Sequence, residues 1–305
     1  MKFFLIILIF CINFSFAYSI EIKIIHKIQN EIITNVDIKN EFKYLLALNN
    51  KLKELNKEKI FVISSSSIIR EKIKNIELLK NFKEIKVDNN YLDTLIKNTY
   101  ERLGLKSEEE FILYLENYEL TLKDIKKKLT IDALWNQLIY EKYNSQITID
   151  EKRIKNQIKN TEKKMMKEYK LSEIIFEVEN KDDIKEKYQI MTDSINEIGF
   201  NNTASIYSIS DTSKVGGEIG WVKENMLNDN IKKNISSLSK GKFSKPIILS
   251  NGVLILKIID IKKSEVLLDY ESELKKITKY EKSRQLNQYS KIYFNKVKKN
   301  LMLDE

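Results

Sequence analysis

Apolar residues in the first half of the chain recur at the three- and four-residue spacing that is typical of helices with one buried face. Residues 22–34 alternate and predict a short hairpin, and beyond them the segment up to residue 166 predicts about five helices. Residues 61–67 are expected to form a loop between them. Capping boxes, in which a Ser or Thr precedes an acidic residue by three positions, predict helix starts at four pairs: Thr34/Asp37, Ser107/Glu110, Thr121/Asp124 and Thr148/Glu151. The last of these helices is polar and is expected to lead out of the domain.

The pattern changes after residue 170, where alternation takes over. Residues 171–178 place Ile174, Phe176 and Val178 on one face and predict a half-buried strand. A helical stripe from Ile184 to Ile198 follows and ends at Gly199. Further along come a short helix over 231–238 and a strand, Asn-Gly turn and strand at 246–260, with the turn at residues 251–252. Residues 168–262 are therefore predicted to form one strand–helix–hairpin domain.

Glycine is concentrated in this domain, since six of the seven glycines of the chain fall within 199–252. Residues 215–222 read VGGEIGWV. Neither the lysine of a phosphate-binding loop nor the spacing of a dinucleotide fingerprint accompanies them, so a nucleotide site is not indicated. The glycines instead predict a tight turn before a strand, IGWV, whose Trp221 is expected to enter the core.

The first 17 residues have the order of a secretory signal peptide, with Lys2, an apolar run from Phe3 to Ile12, and small residues Ser15 and Ala17 at the expected cleavage site. The run is shorter than the ~20 residues that cross a bilayer, so we expect export without stable membrane insertion. The single cysteine, Cys11, would leave with this leader. Disulfides, thiolate chemistry and Cys-zinc sites are then excluded from the mature chain.

The net charge and the single histidine exclude further classes of function. The formal net charge is +9, but lysines are interleaved with Glu and Asp, which is typical of solvated helix faces and does not indicate a nucleic-acid partner. His26 is the single histidine, so catalytic triads and His-rich metal sites are excluded, and a surface position in the first hairpin is favoured for it. No cofactor is expected.

Three segments of the 168–262 domain resemble, in order, the motifs of the parvulin family of peptidyl-prolyl isomerases: LSEIIF, YSISDTSKVGGEIGWV and SLSKGKFSKPIILSNGVLILKI. The N-terminal segments IIHKIQNEIITNVDIKNEF and VDNNYLDTLIKNTYERLGLKSEEEFILYLENYELTLKDIKKKL are similar to the opening and helical core of SurA-like periplasmic chaperones. In that family the last segment returns to complete the N-terminal domain. Residues 264–305 have a matching amphipathic stripe, composed of Leu286, Tyr289, Tyr293, Val297 and Leu301.

Together these resemblances imply an α+β protein with four parts: a signal peptide (1–17), a SurA-like helical domain (18–166), a single parvulin-like domain with a small antiparallel sheet (168–262), and a C-terminal helix (264–305). We expect this last helix to pack on the N-terminal domain and not on the parvulin-like module.

The resemblance implies a poor catalytic site. Active parvulins surround the proline ring with two histidines, a Cys or Asp, and apolar residues. Here Glu173 and Leu254 stand at the histidine places, and Ser210 or Asp211 at the Cys/Asp place. The phenylalanine place falls on Asn230 or Ile231. We expect Glu173 to face water and to leave a shallow apolar patch around Met226, Leu227 and Leu254. The residues expected to bind peptide are Met226, Leu227 and Trp221.

Three hypotheses remain open at this stage. The first is a periplasmic chaperone that binds unfolded outer-membrane proteins without covalent chemistry or ATP. The second is an active peptidyl-prolyl isomerase that acts on exported proteins. The third is a structural adaptor of the cell envelope with one stable partner.

Overall fold

The computed structural model describes residues 21–159, 165–178, 180, 182–249, 252–265 and 270–303. The predicted signal peptide and the asparagine of the predicted turn lie outside these residues. The described chain combines a helical N-terminal region with a four-stranded antiparallel sheet, and the predicted α+β class is confirmed. None of the helices in these ranges has the length and apolarity that a membrane crossing needs.

The N-terminal region is a hairpin followed by six helices. The hairpin strands β1 and β2 pair antiparallel, and His26 is a half-buried residue of β1. The bounds are β1 Ile24–Ile28, β2 Glu31–Thr34, α1 Asn35–Leu48, α2 Lys57–Asn81, α3 Asn89–Arg102, α4 Glu108–Glu116, α5 Leu122–Tyr143 and α6 Glu151–Lys159.

Three of the four predicted helix caps are present. Thr34 and Thr121 form reciprocal capping boxes, and Ser107 accepts a hydrogen bond from the third backbone amide of α4. The fourth prediction is wrong, because Asp150 caps α6 by accepting from the amide of Arg153. Thr148 instead exchanges hydrogen bonds with Gln285 of the C-terminal helix.

The loop predicted at 61–67 is also wrong, since these residues lie inside α2. Ser64 and Ser65 are buried there, and the neighbouring Ile63 and Ile68 belong to two apolar clusters. A run of serines has low intrinsic helix propensity, but small side chains allow α1 and α5 to pack closely against α2. Packing therefore overrides local propensity in this segment.

The second region contains a sheet with the strand order β4-β3-β6-β5, all antiparallel. Strand β3 begins at Met165, where the sequence predicted the end of a polar helix. Strand β3 is also buried on both faces. Helix α7 covers the face that carries Ile174, and an apolar cluster that includes Leu227 and Ile235 covers the face that carries Ile175. The bounds are β3 Met165–Phe176, α7 Asp183–Tyr207, β4 Glu218–Lys223, α8 Asp229–Ile235, β5 Ile247–Leu249 and β6 Gly252–Glu265.

Helix α7 changes direction at Gly199, which has φ of 81° and ψ of 161°. The helix was predicted to end at this residue, but Gly199 forms a kink and a second helical segment continues to Tyr207. Phe200 and Ala204 of this second segment pack on β3 and β6 in one apolar cluster. Burial of that face explains why the chain returns to helix after the glycine.

The C-terminal helix α9 runs from Tyr270 to Leu303 and contacts both regions. Its second half packs on the N-terminal helices, as predicted: Trp135 donates to Ser290 Oγ at 2.8 Å, and Tyr143 stacks on Tyr289 at 4.7 Å. Its first half packs on α6 through Ile277 and also contacts the sheet region, where Glu273 accepts hydrogen bonds from Lys223 of β4 and from Asn225 in the turn after β4. The expectation that this segment avoids the parvulin-like module is therefore wrong for half of its length.

Candidate functional site

A cavity of 390 Å³ lies between the sheet and α9. One wall is apolar and comes from the sheet and the turn after β4, and the other is polar and comes from one face of α9. The apolar wall contains Leu171, Ile175, Val222, Leu227, Leu254 and Leu256; the polar wall contains Tyr280, Ser283, Arg284, Asn287, Gln288 and Lys291.

Glu173 lies in the middle of β3, on the face that also carries Leu171 and Ile175. Its carboxylate accepts hydrogen bonds from Ser210 Oγ at 2.5 Å and from Thr212 Oγ1 at 3.0 Å. The side chain is half-buried in the cavity wall, so the expectation that it faces water is wrong. The two hydroxyl groups supply the hydrogen bonds that water would otherwise supply to the carboxylate.

Gly217, the second of the paired glycines in the VGGEIGWV segment, lies directly against Glu173. Gly217 O accepts a hydrogen bond from the backbone amide of Glu173 at 2.8 Å. A Cβ on Gly217 would stand 2.2 Å from the carbonyl oxygen of Glu173, and the φ of Gly217 is +79°. The predicted tight turn is present, and its requirement for glycine comes from this close approach of two backbones as well as from the dihedral angles.

The segment 208–212 carries Ser210 and is held from two sides. Ser208 Oγ accepts from the amide of Ile175, and the amide of Ile209 donates to the carbonyl of Ile175 at 2.8 Å. From the helical region, the guanidinium of Arg70 on α2 donates to the carbonyl oxygens of residues 208, 209 and 210 at 3.3–3.4 Å. The position of the Glu173 partners thus depends on both regions of the molecule.

Asp211 takes part in an ionic network between the two regions. Lys74 Nζ lies 2.9 Å from Asp132 and 3.1 Å from Asp211, and Lys214 Nζ lies 2.7 Å from Asp132. Burial alone would raise the pKa of Asp132, but the ammonium groups of Lys214 and Lys74 outweigh this effect and hold it well below its usual range. The Asp211 side chain remains 57% exposed, so its ion pair is the weaker member of the network.

The other predicted site residues are divided between the cavity and its surroundings. Leu254 and Leu227 are buried in the apolar wall. Met226 is half-buried and packs beside the wall, against a small cluster that includes Ile154 and Ile277. Trp221 does not enter the core: it is 43% exposed beneath the Lys262 ammonium, because strand alternation directs its neighbour Val222 inward.

The polar wall was not predicted from the sequence, because α9 was expected to pack only on the helical region. Tyr280 packs against the apolar cluster of the sheet. Burial raises the pKa of its phenol, and the nearby Glu173 carboxylate adds to the effect, so Tyr280 is a neutral hydrogen-bond donor at physiological pH. Of the two possible phenylalanine-place residues, Ile231 lines the cavity.

Within the described ranges there is no group of three or more His, Cys, Asp and Glu residues that could hold a metal ion. The arrangement offers apolar contact on one side and hydrogen-bonding side chains on the other. Such a cavity can bind an extended peptide segment without covalent chemistry.

Comparison with known proteins agrees with this geometry. Residues 169–260 match the family described as Rotamase, PPIC-type PPIASE domain. The chain is 26% identical over 183 residues to Chaperone SurA from Pseudomonas putida, a match that covers 57% of this chain and 43% of that protein. The chain therefore spans less than half the length of this relative.

Solved structures of similar proteins include PrsA from Bacillus cereus, at 20% identity and a TM-score of 0.29, with 92% of each chain covered. They also include a structure from the work on the SurA-like chaperones PEB4 and Cj1289 of Campylobacter jejuni, at 18% identity and a TM-score of 0.29, with 93% of this chain and 98% of the other covered. By sequence, residues 169–260 are similar to the PPIC-type peptidyl-prolyl isomerase family, and the chain that contains them is similar to Chaperone SurA.

Proposed function

We propose that this protein is a periplasmic chaperone that binds unfolded outer-membrane proteins in the cavity between the sheet and α9 and assists their folding and assembly. The observation that carries the proposal is the composition of the cavity: a mainly apolar wall from the parvulin-like sheet, with Glu173 as its polar group, faces a polar wall from α9. Extended unfolded segments present alternating apolar side chains and unpaired backbone groups. The two walls match these two kinds of group.

Catalysis is not the role that this cavity suits best. Isomerisation of a peptide bond must overcome a barrier of ~18–20 kcal/mol by stabilising a twisted amide. The two positions where the parvulin resemblance places imidazoles hold Glu173, whose carboxylate is already engaged by two hydroxyl groups, and Leu254, which has no hydrogen-bonding group. We therefore infer weak or absent isomerase activity.

An active isomerase is the second candidate, and one observation favours it. Glu173, Ser210 and Thr212 form a connected hydrogen-bonding group that lines the cavity. Such a group could rearrange to contact the carbonyl or nitrogen of a bound prolyl bond. In this hypothesis Glu173 replaces an imidazole as the polar partner of the twisting amide.

The cellular setting and the division of the chain are part of the proposal. The order of residues 1–17 supports export and a mature chain that begins near Tyr18. The proposed parts are the signal peptide (1–17), a SurA-like domain (18–166), the parvulin-like domain (168–262) and a C-terminal segment (264–305) that joins them. Similarity to a protein named Chaperone SurA supports unfolded polypeptides as the partners.

The test is a paired assay on one preparation of the mature protein. Aggregation of a denatured outer-membrane protein is followed by light scattering, and cis/trans exchange of an Ala-Pro peptide is followed by NMR. We expect suppression of aggregation without accelerated exchange. Accelerated exchange that is lost in Glu173→Ala but kept in Met226→Ala would establish the isomerase instead, and neither activity would indicate a structural adaptor.

A further inference from the structure

Lys291 of α9 occupies a junction between two cavities. It lines the 390 Å³ cavity described above and also a second cavity of 270 Å³. The second cavity lies in the crevice where α2, α5 and α9 meet the end of α7 and the segment 208–211. Asp211, Ser290 and Lys291 line both cavities, so a bound chain that extends from one to the other passes these three side chains.

The Lys291 ammonium has no hydrogen bond or ion pair with any described residue, and among the charged side chains that line the two cavities it shares this only with the exposed Lys298. Glu173 accepts from two hydroxyl groups, and Asp211 accepts from Lys74. Arg284 forms a two-point contact with Glu281. Lys291 is half-buried, and burial lowers its pKa although Glu173 and Asp211 act in the opposite direction.

The charge that lines the two cavities is also unbalanced. Five lining side chains are cationic and three are anionic. Among the cations, Lys74 is neutralised by two carboxylates, while Arg70 donates only to neutral carbonyl oxygens. The charge available to a ligand at the junction is therefore positive.

We propose that Lys291 is a specificity-determining residue that makes the junction select peptide segments carrying an Asp or Glu side chain close to an apolar residue. The apolar residue enters the sheet cavity, and the carboxylate forms an ion pair with the Lys291 ammonium. This proposal rests on the proposed function, because it assigns a substrate preference to the same peptide site. A carboxylate supplies the partner that the partly desolvated ammonium lacks.

The test uses the mature full-length protein and fluorescein-labelled decapeptides with blocked termini. All peptides share one Leu- and Tyr-containing sequence, and they are made in pairs that carry Glu or Gln at each position in turn. Fluorescence anisotropy measures their dissociation constants. We expect about tenfold tighter binding of the Glu peptide in at least one pair, since a charge-assisted hydrogen bond contributes about 1.4 kcal/mol or more.

Matched variants separate a direct contact from general charge. Lys291→Met should abolish the preference, so that the Glu and Gln peptides of each pair bind equally, whereas Lys291→Arg should retain it. Lys296→Met removes the same charge from an exposed position of α9 that lines neither cavity, and it should behave as the wild type. Thermal unfolding of each variant verifies that it is folded.

The outcomes separate this inference from the proposed function. Equal binding of Glu and Gln peptides at every position, or a preference that survives Lys291→Met, would overturn the role of Lys291 while leaving peptide binding in place. Failure of every peptide to bind would overturn the proposed function as well. Loss of the preference in Lys296→Met to the same extent would show that it arises from net charge alone.

Discussion

The two walls of the cavity differ in origin and in chemistry. The sheet wall comes from strands whose alternating residues bury Leu171, Ile175 and Leu254. The α9 wall comes from a helix that begins 14 residues after Leu256, the nearest strand residue that lines the cavity. The groups that this helix presents to the cavity are amide, hydroxyl and cationic. The parvulin-like sheet therefore supplies the apolar surface, while a helix outside the matched domain supplies the polar surface opposite it.

Removal of α9 should have the largest effect. A chain truncated after residue 265 loses the buried side chains of Ile277, Val297 and Leu301 and exposes the apolar surfaces that they cover. Burial of each aliphatic side chain contributes about 1.5–3 kcal/mol to stability, so we expect the free energy of unfolding to fall by at least about 5 kcal/mol. Urea denaturation measures it. A truncated protein that unfolds at the same urea concentration as the full chain would show that α9 is not part of the folded core.

A methyl group on Gly217 should have the next largest effect on the unfolding free energy. This change tests the backbone contact that supports Glu173 in the sheet wall. Gly217→Ala combines a strained positive φ with a Cβ only 2.2 Å from the Glu173 carbonyl oxygen. Gly220→Ala is the matched control, since its φ is +92° but a Cβ there meets nothing within 4 Å. We expect the unfolding free energy to fall by about 1–2 kcal/mol in the control and by at least about 2 kcal/mol more in Gly217→Ala. Equal losses of unfolding free energy would contradict the close approach.

The ionic network between the regions should respond to pH. Because the folded-state pKa of Asp132 is depressed, its stabilisation is present above the unfolded-state pKa of ~3.9 and is lost as the pH falls through the lower folded value. Asp132→Asn leaves Lys74 and Lys214 without this partner. Allowing for its 31% exposure, we expect a loss of about 2 kcal/mol near pH 7.

The difference between wild type and Asp132→Asn should therefore shrink as the pH is lowered below about 4, the unfolded-state value. Unfolding free energies measured from pH 3 to pH 7 test this sign. Asp93→Asn, at an exposed position of α3, serves as the control and should follow the wild-type curve. A difference that grows on acidification would show that the network does not stabilise the folded state through the Asp132 carboxylate.

The smallest expected effect concerns the free lysine of the α9 wall. Lys291→Met removes a half-buried charge that has no partner among the described residues, so the unfolding free energy should stay the same or rise by less than about 1 kcal/mol. Lys74→Met, which removes a lysine paired with two carboxylates, should lower it instead. Thermal unfolding of the two variants side by side gives the comparison, and a marked destabilisation by Lys291→Met would indicate a structural partner.

Local signals account for what could be predicted. The capping boxes at Thr34 and Thr121 form because side chain and backbone lie within three residues of each other. The order of strand, glycine turn and hairpin likewise follows from short-range patterns. These signals identified the parvulin-like domain and the positions of Glu173, Ser210 and Leu254 in it.

Long-range packing accounts for what could not be predicted. Residues 61–67, which include four consecutive serines, are helical because they belong to α2, on which α1 and α5 pack. Trp221 stays outside because β4 directs Val222 into the core. No local pattern distinguishes Tyr280 or Lys291 from the other polar residues of an amphipathic helix. Their place opposite Glu173 is determined by where α9 docks, and that depends on both regions at once.

Photocrosslinking tests most directly whether the two walls form one peptide site. A photoreactive phenylalanine analogue is introduced at Ile219 on the sheet side, at Gln288 on α9, or at Leu113, an exposed residue of α4 that lines neither cavity. Each protein is then irradiated with a denatured outer-membrane protein. We expect crosslinks from both Ile219 and Gln288 and none above background from Leu113. Crosslinks from only one wall, or equal crosslinking from Leu113, would contradict a peptide site shared by the sheet and α9.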